Sequence, residues 1–150
     1  MKGKISDNFS WEEFEQSEKA EELGIDNTIP NNESIKMPIR SLVVNLLQPL
    51  RNAIGEPLII NSGYRSQKLN KAVNGAKNSQ HTKGEAADIK ADDPLLLAQH
   101  IIRKQLPFDQ MILYSTFVHL SLKYMAPQRK NIIYHKTYKE QYPKNAELKI

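Results

Sequence analysis

The chain has 150 residues, 39% hydrophobic and 25% charged, the proportions of a single soluble globular domain, and no stretch nears the ~18 apolar residues of a membrane span. It contains no cysteine, which excludes disulfides and thiolate-bound zinc and leaves His, Asp, Glu or water for any metal site. The net charge of +4 is spread over scattered lysines without basic–aromatic interleaving or a nucleic-acid motif, so a basic solvated surface is expected and no nucleic-acid partner.

The first element in the chain is a helix signalled by Ser10 and Glu13, a Ser-x-x-Glu capping box flanked by Phe9 and Phe14 at the spacing of a hydrophobic staple. Gly24 offers its stop after Leu23. The segment from Ile25 to Met37 is polar and turn-rich, and reads as a surface loop. A second helix is predicted from about Ile39 to Ile54, where Ile39, Leu42, Val43, Leu46, Leu47, Leu50 and Ile54 form one apolar stripe. Pro49 should kink it and Gly55 end it.

After Gly55 the texture turns to strands: Leu58–Asn61, Ala86–Ala91, and a hairpin of Met111–Leu113 with Val118–Leu122. Between them Asp93 caps a helix that runs from Pro94 to about Lys104. Helices first and strands later point to an α+β fold, with N-terminal helices packed on a small, mainly antiparallel sheet. No linker or repeat divides the chain, so residues 1–150 are expected to form one domain. The part from 124 to 150, rich in Lys and Tyr towards its end, reads as a loosely packed C-terminal extension or a binding surface.

The chemistry is concentrated between Ser62 and Asp88, where Ser79, His81, Gly84, Ala86 and Asp88 spell Ser-x-His-x-x-Gly-x-Ala-x-Asp. Imidazole and carboxylate suit zinc, glycine permits a tight reversal, and small residues let backbone pass close to an ion. Strand parity adds an independent argument. Asp88 alternates with Ala87 and Ile89, and His119 alternates with Val118 and Leu120, so both lie on the polar faces of core-seeking strands. If the strands are neighbours, Asp88 and His119 can converge with His81 on one ion and leave a position for water.

The motif, followed some thirty residues later by a hydrophobic-His-hydrophobic-Ser strand, resembles the zinc D-Ala-D-Ala carboxypeptidases and related phage endolysins. The resemblance takes in Ser62-Gly63-Tyr64-Arg65-Ser66, Leu69-Asn70, Phe108-Asp109-Gln110 and the N-terminal Asn8-Phe9-Ser10, over roughly residues 5–123. It implies zinc as cofactor, a sheet that carries the zinc site, and His81, Asp88 and His119 as the ligands. It implies that Arg65 stabilises an anionic tetrahedral intermediate or holds a substrate carboxylate, against the plainer reading of a surface salt bridge. Ser79 either hydrogen-bonds substrate or braces the loop before His81.

The implied reaction is zinc-dependent hydrolysis of peptidoglycan stem peptides or cross-bridges, as carboxypeptidase or endopeptidase. In the family a carboxylate base precedes the last zinc His, but here Thr116 or Tyr114 stands there. Asp109, Glu85 and His135 are the replacements in the sequence, and the hairpin register decides whether Asp109 or the substrate-binding candidate Gln110 shares the His119 face. The alternative is a non-catalytic, zinc-stabilised module that binds wall peptides or a protein partner. A monomer is expected. The N-terminus MKGKISDNFSW lacks the apolar segment of a secretory signal, so synthesis in the cytoplasm and access to the wall by phage- or holin-type release are expected.

Overall fold

Ser10 starts the first helix as its neighbours dictate. Its Oγ accepts from the Glu13 amide, and the Glu13 carboxylate accepts from the Ser10 amide at 3.0 Å, while Phe9 and Phe14 are buried beside this cap. The computed structural model describes residues 1–144. Strands β1 (Lys4–Ser6) and β2 (Phe9–Ser10) pair antiparallel and lead into α1 (Trp11–Glu15). The single helix expected up to Leu23 is in fact two. Ser17 accepts from the Ala20 amide and opens α2 (Glu18–Leu23), which ends on Gly24 at φ 65°. A serine hydroxyl competes with the helix for backbone amides, and here it restarts the helix.

The long apolar stripe forms α3 (Glu33–Leu42), a π-helical turn (Val43–Leu47) and α4 (Gln48–Ile54). The helix begins at Glu33 rather than Ile39, because Asn32 accepts from the Ser34 amide and caps a polar first turn that lies in solvent. The expected surface loop is shortened accordingly. Ile39, Leu42, Val43, Leu46, Leu47 and Leu50 are all fully buried. Such side chains contribute about 1.5–3 kcal/mol each. The irregularity expected at Pro49 lies just before it: the Gln48 amide reaches back five residues to the Val43 carbonyl. Proline cannot donate to the ladder, and a widened turn is one way a helix absorbs that.

The main sheet is five-stranded, in the order β3 (Ile60–Ser62), β4 (Ala86–Lys90), β6 (Phe117–Ser121), β5 (Gln110–Leu113), β7 (Asn131–Tyr134). Every neighbouring pair is antiparallel except β5 and β7, which run parallel. The α+β reading therefore holds. Helix α5 (Gln67–Ala72) follows β3, and α6 (Pro94–Arg103) starts at Asp93, whose carboxylate accepts from the Leu96 amide. One face of the sheet presents Ala87, Ile89, Met111, Leu113, Val118 and Leu120, which join the α3–α4 stripe and Leu97, Ala98 and Ile101 of α6 in one core. The other face presents Asp88, His119, Gln110, Ile112 and Phe117, and the loops on either side of α5 bring Arg65 and His81 towards it.

The segment after 124 departs from a loose extension within the described residues. β7 adds a strand to the sheet edge, and α7 (Lys136–Gln141) buries Tyr138 to 3% exposure against the core. Weak periodicity hid this, because the solvent-facing positions of β7 include the apolar Ile133 and its sequence does not alternate. Residues 145–150 of the expected extension lie outside the described residues.

Candidate metal centre

His81 sits in a 3-10 turn (Gln80–Lys83) that opens on Ser79, whose Oγ accepts from the His81 amide at 3.2 Å. Gly84 closes the turn at φ 75°, where a Cβ would lie 2.7 Å from the Ile35 carbonyl oxygen. The turn is thus fixed at both ends. Its imidazole is 2% exposed, and Nδ1 contacts the Gly63 carbonyl oxygen at 2.7 Å. A carbonyl only accepts, so Nδ1 carries the proton and Nε2 presents a lone pair.

That Nε2 is buried without a hydrogen-bond partner and faces Asp88 Oδ1 at 3.3 Å. Two acceptors at this distance repel each other unless a cation stands between them. Asp88 and His119 are directly opposite on β4 and β6, and His119 Nδ1 lies 2.9 Å from the same Asp88 oxygen. One ligand atom from each of the three residues falls within 4.8 Å of the others. In a tetrahedron with metal–ligand bonds of ~2.0–2.1 Å, ligand atoms are separated by roughly 3.3 Å. The donor set and the spacing fit a zinc-sized ion, and the fold brings together the three residues named from the motif.

The charge state of the group suits a cation too. Burial pushes the Asp88 carboxyl up, but hydrogen bonds and charge from His119 and His81 outweigh it and hold Asp88 well below the carboxylate range. Burial pulls His81 below its ordinary value of 6.5, against the opposing pull of Asp88. Both groups are therefore in their ligating forms at neutral pH. In the metal-free protein both folded values lie below the unfolded ones, so on acidification the unfolded chain takes up protons first. Stability should fall as pH drops below 6.5, through His81, and again below 3.8, through Asp88. Urea denaturation of the apo-protein between pH 8 and 3 measures this, and His81→Gln should flatten the upper limb.

Arg65 lies at the edge of the group. One guanidinium nitrogen is 3.7 Å from Asp88 Oδ2, while Nε and the other nitrogen donate to Ser62 Oγ and Asn70 Oδ1, each at 3.2 Å. Asn70 is held in turn by its donation to the Ala76 carbonyl. Asn27 is buried and ties the end of α1 to the loop before α5: its amide donates to the Glu15 and Tyr64 carbonyls, and its Oδ1 accepts from the Ser66 amide. Sequence reading missed Asn27. It stands in a polar turn-rich run, where neither periodicity nor a motif separates it from a solvated asparagine.

The remaining candidates are not gathered at the centre. The hairpin register pairs Ile112 with His119, so Gln110 shares the His119 face and Asp109 has the opposite parity. The Asp109 carboxylate is fully buried and bound by Arg129, through its amide at 2.7 Å and its guanidinium at 3.0 and 2.6 Å. Glu85 accepts from the Tyr124 amide at 2.9 Å, and Thr116 is exposed at the hairpin turn. Among the described residues no further carboxylate joins the His81–Asp88–His119 group.

Gly63 offers a direct test of how the fold aims His81. A Cβ there would lie 2.8 Å from both Phe14 Cα and Cδ1. Gly63→Ala should cost about 1–3 kcal/mol of stability through overpacking. By displacing the carbonyl that orients His81, it should also weaken metal binding roughly 10–100-fold, read by competition with a chelator.

A family model described as Peptidase M15 matches residues 7–121. A segment of 46 residues is 48% identical to the zinc D-Ala-D-Ala carboxypeptidase of Streptomyces albus G. That segment covers 30% of this chain and 18% of the Streptomyces protein.

Proposed function

The chain belongs to the peptidase M15 family, and from that premise we propose that it is a zinc-dependent peptidase acting on peptidoglycan stem peptides or cross-bridges. The observation that carries the reading is the buried, unpartnered Nε2 of His81 facing Asp88 Oδ1 at 3.3 Å, with His119 Nδ1 on the same oxygen. His81, Asp88 and His119 hold the zinc. Bound there, zinc supplies Lewis-acid polarisation of a carbonyl and a water whose pKa falls towards ~7.

The chain's own residues do the rest. Asp88 stays ionised and keeps the centre less positive, and the Gly63 carbonyl fixes the ligating tautomer of His81. Arg65, held by Ser62 and Asn70, presents its guanidinium to the oxyanion that forms when water adds to the peptide carbonyl. Collapse breaks the carbon–nitrogen bond, the amine leaves with a proton that came from the water, and a carboxylate remains. Gln110 lies along the same face, where it hydrogen-bonds an extended peptide, and Ser79 acts by bracing the His81 turn.

A second reading is favoured by one observation. Asp109 and Glu85 are engaged elsewhere, and among the described residues no further carboxylate joins the centre to take the proton from water. In that case the same centre is a zinc-stabilised module that binds wall peptides without cutting them. The test is to quantify zinc in the purified protein and incubate it with muropeptides of defined cross-linking, following products by mass spectrometry. Cleavage supports the peptidase, zinc and peptide binding without cleavage support the module, and failure to take up zinc on reconstitution overturns both.

A further inference from the structure

Besides Gln110, the face of the sheet that carries Asp88 and His119 presents a second polar side chain, Tyr114. Tyr114 follows β5, and its amide donates to the Phe117 carbonyl, which sets it opposite Phe117. Ile112 pairs with His119 in the same ladder, so Tyr114 lies on the His119 face and one diagonal step from it. Diagonal neighbours across antiparallel strands are ~7–8 Å apart at Cα, within the reach of a tyrosine side chain.

The ring is fixed in direction. It stacks on Phe117 at 4.2 Å and 9°, and on His135 at 4.3 Å and 31°. His135 is itself pinned, with its Nδ1 between the amide and hydroxyl of Thr137 and its amide on the Leu113 carbonyl. Among the described residues the Tyr114 hydroxyl makes no hydrogen bond. A rigid ring carrying a hydroxyl on the face that presents Asp88 and His119 is a preorganised arrangement.

We infer that the Tyr114 hydroxyl is a catalytic hydrogen-bond donor that shares with Arg65 the oxyanion formed on the substrate carbonyl. The inference rests on the peptidase reading given above. In the metal-free protein, burial, and after it the charge of Asp88, raise the Tyr114 phenol against the pull of Arg65, and the hydroxyl keeps its proton. That makes it a donor and not a base. A donor aimed at developing charge binds the tetrahedral species more strongly than the planar peptide, so its removal acts on the transition state and spares the ground state.

Tyr114→Phe tests this, because it keeps the stack on Phe117 and His135 and removes only the hydroxyl. Calorimetry of zinc-loaded wild type and variant should use two ligands: a phosphinic-acid dipeptide that mimics the tetrahedral species, and the matching uncleaved peptide amide. The expected result is phosphinate binding weakened tenfold or more, peptide binding changed less than twofold, and equal zinc content. In wild type, the tyrosine carbon-13 resonance that is missing from the variant should shift on addition of phosphinate. Equal phosphinate affinities, or a resonance that does not move, overturn the role of Tyr114 alone. Wild type that binds neither ligand overturns the peptidase reading and this inference together.

Discussion

Asp88→Asn is expected to empty the metal centre while leaving the fold intact. The amide keeps the shape of the carboxylate but loses the charge that faces both His81 and His119. Zinc held by a complete set of four ligands is worth about 10–16 kcal/mol, or roughly 2.5–4 kcal/mol per ligand, so affinity should fall about 10²–10³-fold. Hydrolysis should drop to background with it. Elemental analysis and chelator competition measure the first effect, and circular dichroism of the apo-protein checks the fold. His119→Ala should give the same metal loss from the other strand. Wild-type zinc retention in both variants would remove the two residues from the ligand set.

Arg65→Ala carries the second large effect, and it should separate catalysis from metal binding. The guanidinium is supported by Ser62 and Asn70 and stands 3.7 Å from Asp88, so its loss removes a preorganised donor and leaves the three ligands in place. Removal of one oxyanion donor costs about 10²–10³ in rate. Peptide turnover should fall by that factor at unchanged zinc content. Arg65→Lys should recover little, because an ammonium cannot reproduce the fork that engages Ser62, Asn70 and Asp88 together. If turnover survives Arg65→Ala within threefold, the plain salt bridge to Asp88 is its whole role.

These effects concern residues that were legible for different reasons. The Ser10–Glu13 box and the Asp93 cap were readable because each is complete within four residues. The Leu42–Leu50 stripe was readable because a helix repeats locally, and it survived even though the helix passes through a π-turn that periodicity does not announce. The polar faces of Asp88 and His119 were readable by parity, since alternation along a strand is a local property too, while their role as ligands came from the family resemblance.

What stayed hidden depends on contacts distant in sequence. Asn27 is defined by partners 37 and 39 residues away, at Tyr64 and Ser66. The choice between Asp109 and Gln110 needed the hairpin register, which a single-residue slip reverses. The fate of Asp109 needed Arg129, 20 residues on, in a segment with no pattern of its own. β7 was invisible because its solvent-facing positions are Asn131 and the apolar Ile133, so Asn-Ile-Ile-Tyr shows no polar–apolar alternation. Tyr114 looked like the absence of a carboxylate. Only the stack on Phe117 and His135 gives it a direction.

The direct opposition of Asp88 and His119 across β4 and β6 also bears on how the ion comes and goes. The ladder that sets their spacing belongs to the centre of the sheet, with Ala87, Ile89, Val118 and Leu120 anchoring it in the core. Two of the three proposed ligands are therefore in place before any ion arrives. Loading is then expected to exchange water for side chains on a standing framework, with no folding step attached. A protein built this way can be stripped by a chelator and recharged many times, and its amide hydrogen exchange in β4 and β6 should barely register the difference.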